Sequence, residues 1–128
     1  MIKSSHQRDI ILNVITDSCD HPNAEMVLER AKDILPSINL ATVYRNLDLL
    51  SKKRDILRIS MGNGDRFDHT VIPHAHFHCL TCNRVFDIDS VNIDNLIEDT
   101  QVHHNCVVDG VDIVLNGYCS ACTAKKNN

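Results

Sequence analysis

Apolar residues recur along residues 1–60 at helical spacing. Ile11, Val14 and Ile15 fall at i, i+3 and i+4 with Ile10 beside them, and predict an amphipathic helix over Gln7 to Asp17, ending near Ser18-Cys19-Asp20. Asn23 stands where an N-cap would accept a backbone hydrogen bond. Ala24, Val27, Leu28, Ala31, Ile34 and Leu35 then carry a second helical stripe as far as Pro36. Asn39 can cap a third segment, in which Leu40, Val43, Leu47 and Leu50 line one face and leave Thr42, Tyr44, Arg45 and Asn46 mostly on others. Two helices joined through Pro36 to Asn39 suit a helix-turn-helix.

The period then changes. Ile56, Leu57 and Ile59 on one side, and Phe67, Val71 and Ile72 on the other, flank Met61-Gly62-Asn63-Gly64-Asp65, whose residues tolerate the positive φ a hairpin needs. A β-wing is expected. Beyond Pro73, His74, His76 and His78 alternate with Ala75, Phe77 and Cys79, so a strand would put three imidazoles on one face. Arg84 to Asp89 alternates as a second strand, Ile93, Leu96 and Ile97 mark a short helix, and Cys106 to Leu115 reads as a last strand. Asn116-Gly117 turns into a second cysteine pair, and Lys125 to Asn128 form a polar tail expected to fray. The expected architecture is α+β: an N-terminal winged helix-turn-helix domain over residues 1–72, then a small α/β domain over residues 73–128.

Composition adds a constraint. A chain of 128 residues can make one ordinary domain, or two small ones that lean on each other or on a metal. Apolar residues make up 43% and Pro and Gly are few, which excludes a disordered or fibrous chain, yet there is no Trp and aromatic packing is scarce. The net charge of −4 hides an asymmetry: residues 1–60 hold nine Lys/Arg against eight Asp/Glu, and residues 61–128 hold four against nine. The first part can approach phosphates if its basic residues share a face. Lys52, Lys53 and Arg54, with Arg58 and Arg66, sit at the entry to the wing and within it. The second part is unsuited to DNA and rich in hard metal ligands. Met1 to His6 shows no leader pattern and no apolar run nears a membrane span, so a cytoplasmic protein with no membrane partner is expected.

Six Cys and eight His are many for this length. Cys79-x-x-Cys82 and Cys119-x-x-Cys122 each offer two corners of a zinc tetrahedron, and in a reducing cytoplasm such pairs are zinc ligands before they are disulfides. A redox pair competes for one C-x-x-C; two of them, without a thioredoxin-like βαβ pattern, favour a closed structural site. Asn83 tolerates the left-handed backbone such knuckles often use. Cys19 and Cys106 are left over and are expected to be buried hydrophobes. A second constellation is harder. His74 and His76, Asp68 just upstream, Asp87 on the next strand, and His21 ahead of the second helix suit Fe(II), Mn(II) or Zn(II) and not calcium. Spacing alone does not connect His21 to the others.

The motifs resemble the ferric uptake regulator family, dimeric winged-helix repressors controlled by metal. The resemblance is carried by His21-Pro22-Asn23-Ala24, by Leu40-Ala41-Thr42-Val43-Tyr44-Arg45-Asn46-Leu47, by Arg66-Phe67-Asp68, by His74 through Cys82, and by the terminal Cys119-x-x-Cys122, in order along nearly the whole chain. It implies that Leu40 to Leu50 is the recognition helix, with Thr42, Tyr44 and Arg45 as DNA contacts beside Lys52, Lys53 and Arg54. It implies that Cys79, Cys82, Cys119 and Cys122 hold structural Zn(2+), and that the domain after Pro73 makes a homodimer on palindromic operator DNA. The regulatory Fe(2+) or Mn(2+) positions of the family fall on His21, Asp68, His74, His76 and Asp87. Aspartate at both carboxylate positions resembles the peroxide-responsive branch, in which a histidine ligand matching His21 or His74 is oxidised and DNA is released. The iron-uptake branch commonly has Glu there. Its additional site would need ligands at Pro73, Ala75 and Val111 and is expected to be absent, only Asp94 being left. The leading helix that many members carry is expected to be missing. His69, His78, His103 and His104 are expected to be surface or supporting residues.

Two other readings stand beside this one. An iron- or manganese-responsive repressor of metal uptake would use the same site without the oxidation step. A small non-haem iron or zinc enzyme would also use two His and a carboxylate, but it has no need of a basic wing and helix-turn-helix, and the sequence carries no substrate-pocket signature.

Overall fold

Asn23 and Asn39 both act as N-caps: their side-chain oxygens accept from the backbone N–H of Met26 and Thr42, each at 2.9 Å. In the computed structural model, which describes residues 4–61 and 64–126, these caps open helices α2 (Ala24–Lys32) and α3 (Leu40–Lys52), preceded by α1 (Ser4–Asp17). Helix α2 stops earlier than its apolar stripe. Pro36 bars the residue before it from helical backbone, the last turn tightens as Ile34 N–H bonds Ala31 C=O at 3.1 Å, and Ile34 is left 60% exposed while Leu35 stays buried. Helix α3 ends with Arg54 at φ 63, where glycine is usual, and Asp55 N–H reaching back to Leu50 C=O at 3.0 Å.

The chain divides into two compact units, Met1–Ile72 and Pro73–Asn128. In the first, Ile11 and Ile15 of α1, Val27 and Ala31 of α2, and Val43, Leu47 and Leu50 of α3 close on Ile56 and Phe67. Each large side chain so buried is worth about 1.5–3 kcal/mol. The wing is an antiparallel pair, β1 (Leu57–Met61) with β2 (Gly64–Asp68), in a register that runs from Leu57 opposite Asp68 to Met61 opposite Gly64. The Gly62-Asn63 part of the expected turn lies outside the described residues. Strand β2 ends at Asp68, so Val71 and Ile72, expected to be extended, lie beyond the wing and are exposed.

The second unit is a three-stranded sheet of order β4-β3-β5, with β3 (Ala75–Cys79) central, antiparallel to β4 (Val85–Ile88) and parallel to β5 (Val114–Gly117). Helix α4 (Ile93–His104), capped by Asn92, makes the crossover. The expected strand over Cys106 to Leu115 is confined to β5. Asp109 and Gly110 disfavour strand, Val107 is 90% exposed and gains nothing from pairing, and Val108 N–H bonds the Gln101 side chain at 2.9 Å instead. After β5 comes a short helix that the sequence pattern missed, α5 (Ser120–Lys126). Lys125 and Lys126 belong to it, and Asn127 and Asn128 of the expected frayed tail lie outside the described residues. The fold is thus a helical, winged region followed by a β-sheet domain that carries four clustered cysteines. The apolar core of the second unit is thin: Ala75, Cys79, Val85, Ile93 and Cys119 are its buried hydrophobic residues among those described.

Candidate functional site

The cysteine cluster is built by two knuckles on neighbouring strands. Cys79 ends β3, its N–H bonded to Arg84 C=O at 2.9 Å, and Asn83 N–H returns to Cys79 C=O at 2.9 Å with Asn83 at φ 64. Leu80 N–H bonds Gly117 C=O at 2.8 Å, tying this knuckle to the end of β5. Gly117 leaves room there for the Phe77 ring: an added Cβ would stand 3.2 Å from Phe77 Cζ, closer than an ordinary contact. Cys119 then donates its N–H to Cys79 Sγ at 3.4 Å, and Thr123 N–H closes the first turn of α5 on Cys119 C=O.

The Sγ atoms of Cys79, Cys82, Cys119 and Cys122 all lie within 4.8 Å of one another, and none forms a disulfide. Cys82 Sγ and Cys119 Sγ are 3.8 Å apart, matching the ~3.8 Å edge of a tetrahedron with metal–sulfur bonds of about 2.3 Å. The backbone N–H groups of Cys82 and Cys119 pull the Cys79 thiol down to about 5, and the Cys122 N–H lowers Cys119. Cys122, hydrogen-bonded to the sulfur of Cys119, is pushed up to about 12. Geometry and donor chemistry both fit zinc. Cys19 and Cys106, expected to be buried, are exposed; neither lies in a packed apolar region that would reward its burial.

The hard ligands fall in both units. In the first, β2 runs past the loop after α1 and engages it three times in succession. Arg66 Nη1 donates to His21 C=O at 3.0 Å, Phe67 N–H to Pro22 C=O at 3.0 Å, and Asp68 Oδ2 stands 3.1 Å from His21 Nε2. Both His21 and Asp68 are buried. The other Asp68 oxygen accepts from Thr70 N–H at 3.0 Å, and His21 sits at φ 52, a left-handed backbone uncommon for a residue with a side chain. In the second unit, His76 lies opposite Asp87 across the β3–β4 ladder. Asp87 Oδ1 is 2.8 Å from His74 Nε2 and 3.5 Å from His76 Nε2, and the two imidazole rings are 4.2 Å apart. His78, expected on the same strand face, meets other partners, Asn83 and Asn116.

The basic residues sort differently from expectation. Tyr44 is 52% exposed and Arg45 is also exposed on α3, as are Lys52, Lys53 and Arg54 at its end, with Lys52 paired to Asp48 at 2.9 Å. Thr42 is buried at 7%, because the N-terminal turn of α3 packs it inward. Arg66 is buried at 6% on the His21 carbonyl and is not a phosphate contact. Arg58 is held by Asp48 and Asp65, each at 3.5 Å, and lies over the Phe67 ring. Strand alternation does not flag Arg66, because β2 buries Arg66, Phe67 and Asp68 in succession; its charge made it read as surface. No described helix is long and apolar enough to cross a membrane.

A family model, that of the ferric uptake regulator family, matches residues 1–116. The ferric uptake regulation protein of Bacillus subtilis is 30% identical over 97% of this chain and 87% of its own length. The peroxide operon regulator of the same organism is 26% identical over 99% and 88%. Among solved structures, the ferric uptake regulator of Helicobacter pylori superposes with a TM-score of 0.79 at 22% identity, over 95% of this chain and 83% of that one.

Proposed function

Because this chain belongs to the ferric uptake regulator family, and so is a metal-dependent transcriptional regulator and not an enzyme, we propose that it is a peroxide-responsive repressor. It holds palindromic operator DNA while a hard cation occupies the His/Asp site, and releases it once that site is oxidised. Regulators of this family bind operator DNA, typically as dimers. For this chain the homodimer is favoured by Leu96, Val102, Val107, Leu115 and Tyr118, all apolar or aromatic and exposed on the second unit. The reading places the protein in the cytoplasm, where its thiols stay reduced for structural zinc.

The regulatory site in this reading takes His21 and Asp68 from the first unit and His74, His76 and Asp87 from the second. Neither set alone supplies enough donors for Fe(2+) or Mn(2+), and together they make five. The observation that carries the peroxide branch is that both carboxylates set among the imidazoles are aspartates. Held by His21, Asp68, His74, His76 and Asp87, ferrous iron would supply the reducing electron for peroxide cleavage, whereas manganese would fill the same donors without that redox chemistry. The chain's own part is to hold His21 and His74 where the oxidant forms, and to lose its grip on the cation when either ring gains oxygen. DNA contact then falls to Tyr44 and Arg45 of α3, with Lys52, Lys53 and Arg54 at its end.

The test uses anaerobic Fe(II) and Mn(II) forms in a DNA-binding assay before and after peroxide, with peptide mass spectrometry. The iron form is expected to let go and to gain one oxygen on His21 or His74, while the manganese form stays bound. An iron form that keeps its operator overturns the peroxide reading. A metal-uptake regulator is the second reading, favoured by the 30% identity to the Bacillus subtilis ferric uptake regulation protein. Asp87→Glu separates the two: on the peroxide reading it blunts release by peroxide while metal-dependent DNA binding survives.

A further inference from the structure

His78 is a buried imidazole that neither the cysteine cluster nor the His/Asp site uses. It sits on β3, immediately before Cys79, at 6% exposure. Its Nε2 lies 2.6 Å from Asn83 Oδ1, and its Nδ1 lies 3.4 Å from the side-chain amide of Asn116. Asn83 follows Cys82 and holds the left-handed residue of the first knuckle. Asn116 is the β5 residue registered opposite His78, three positions before Cys119. One ring therefore touches the residue that shapes the first cysteine pair and the strand that delivers the second.

We infer that His78 is a positioning residue for the four-cysteine centre, a clamp that fixes the Cys79-x-x-Cys82 knuckle against β5 so that all four sulfurs stay at tetrahedral separation. Nε2–H donates to the Asn83 amide oxygen, which holds the turn after Cys82 in its left-handed shape. The Asn116 amide meets Nδ1 with whichever of its ends complements the ring, since amide orientation follows the hydrogen-bond network. The bond to Asn83 is short and partly shielded, and partners of this kind around metal sites are worth 10–100-fold in affinity. Leu80 N–H to Gly117 C=O, Cys119 N–H to Cys79 Sγ and the Cys82–Cys119 sulfur contact also bring the knuckles together; the imidazole adds a side-chain link outside the sulfur cluster.

The inference rests on the zinc reading of the cysteine cluster, and the experiment separates the two. Zinc-loaded full-length protein is mixed with a chromogenic chelator and the release rate measured for the parent, His78→Leu, His78→Gln and Asn83→Gly. Leu keeps the volume and loses both bonds. Gln places an amide N–H near the Nε2 position. Gly relieves the positive φ at residue 83 and removes the carbonyl that His78 grips. Roughly tenfold faster release is expected from His78→Leu and Asn83→Gly, with His78→Gln near the parent. Asn83 is exposed, so its variant removes the same bond without a change at a buried position. Release from Asn83→Gly as slow as the parent's, or His78→Gln as fast as His78→Leu, overturns the clamp. A parent that is isolated without zinc overturns the zinc reading and the clamp with it; a zinc-loaded parent whose variants release at its own rate overturns the clamp alone.

Discussion

The guanidinium of Arg66 donates to the backbone carbonyl of His21 at 3.0 Å, inside the first unit. The carbonyl belongs to a residue in a left-handed backbone, and Arg66 stands two positions from the aspartate that faces the same histidine. The arrangement fixes where the imidazole points, since the ring is held by Asp68 and the main chain by Arg66. Burial lowers the pKa of the Arg66 guanidinium from its ordinary value, and the nearby carboxylate of Asp20 works against that.

Arg66→Met should therefore weaken Mn(2+) binding by about tenfold, the scale seen for partners that orient ligands, and leave zinc content unchanged. Calorimetric titration of manganese with parallel zinc analysis checks it. Equal manganese affinity in the variant would show that His21 needs no such support.

The thin core of the second unit makes it dependent on the cysteine cluster. Cys119→Ser should lose zinc and with it on the order of ten kcal/mol of apparent folding free energy, so the sheet should melt or fail to form. The helical signal of α1 to α3 should persist. Zinc analysis and a thermal melt followed by circular dichroism read both; an unshifted melt in a zinc-free variant would contradict the prediction.

Tyr44 and Arg45 are exposed on α3, and the proposed reading assigns them to the DNA contact. Arg45→Ala should weaken binding to an operator selected from random duplexes, and should lower the salt slope by about one if its contact is to phosphate. Thr42→Val, at a buried position, should leave that slope unchanged. Titrations across salt concentrations compare the three proteins. An Arg45→Ala variant with parental affinity and slope would remove Arg45 from the interface.

Arg30 forks onto Asp20 at 2.9 and 2.6 Å and also reaches Ser18 Oγ at 2.8 Å, fastening the loop that leads to His21. The hydrogen bond from Arg30 holds the Asp20 carboxyl below its ordinary value. Because the folded value is the depressed one, the pair stabilises the fold above the unfolded pKa of about 3.9 and stops doing so as pH falls through the folded value. Arg30 and Asp20 are 38% and 50% exposed, so the contribution is at most about 1 kcal/mol. Urea unfolding should show Asp20→Asn less stable than the parent at neutral pH, with the gap narrowing as the pH falls below the unfolded pKa. A gap that persists in acid would contradict the assignment.

Much of this was legible in the sequence because the signals were local. Asn23 and Asn39 announce their helices by their own side chains, Val27, Val43 and Leu47 by spacing, and the two cysteine knuckles by ligand type. What was hidden depends on tertiary contact. Nothing near Arg66 in sequence says that its partner is a carbonyl 45 positions away, and a basic residue in a wing reads as a phosphate contact until its burial is known. Thr42 reads as exposed on helical spacing but is turned inward. Cys106 to Ile113 carries apolar residues that suggest a strand, but Asp109 and Gly110 interrupt it and pairing with β3 begins only at Ile113, whose carbonyl accepts from His76 N–H; α5 is too short to leave a periodic trace. His78 shares a strand face with His74 and His76 by alternation and reads as a surface or supporting residue; only the register of β3 against β5 assigns it to Asn116.

The central claim is that one cation is shared by His21 and Asp68 with His74, His76 and Asp87. Equilibrium dialysis of Mn(2+) against the zinc-loaded parent, His21→Ala and His76→Ala tests it most directly. The account predicts one regulatory equivalent per chain in the parent, lost or weakened to a similar degree in both variants. A His21→Ala protein that binds manganese as tightly as the parent would contradict it.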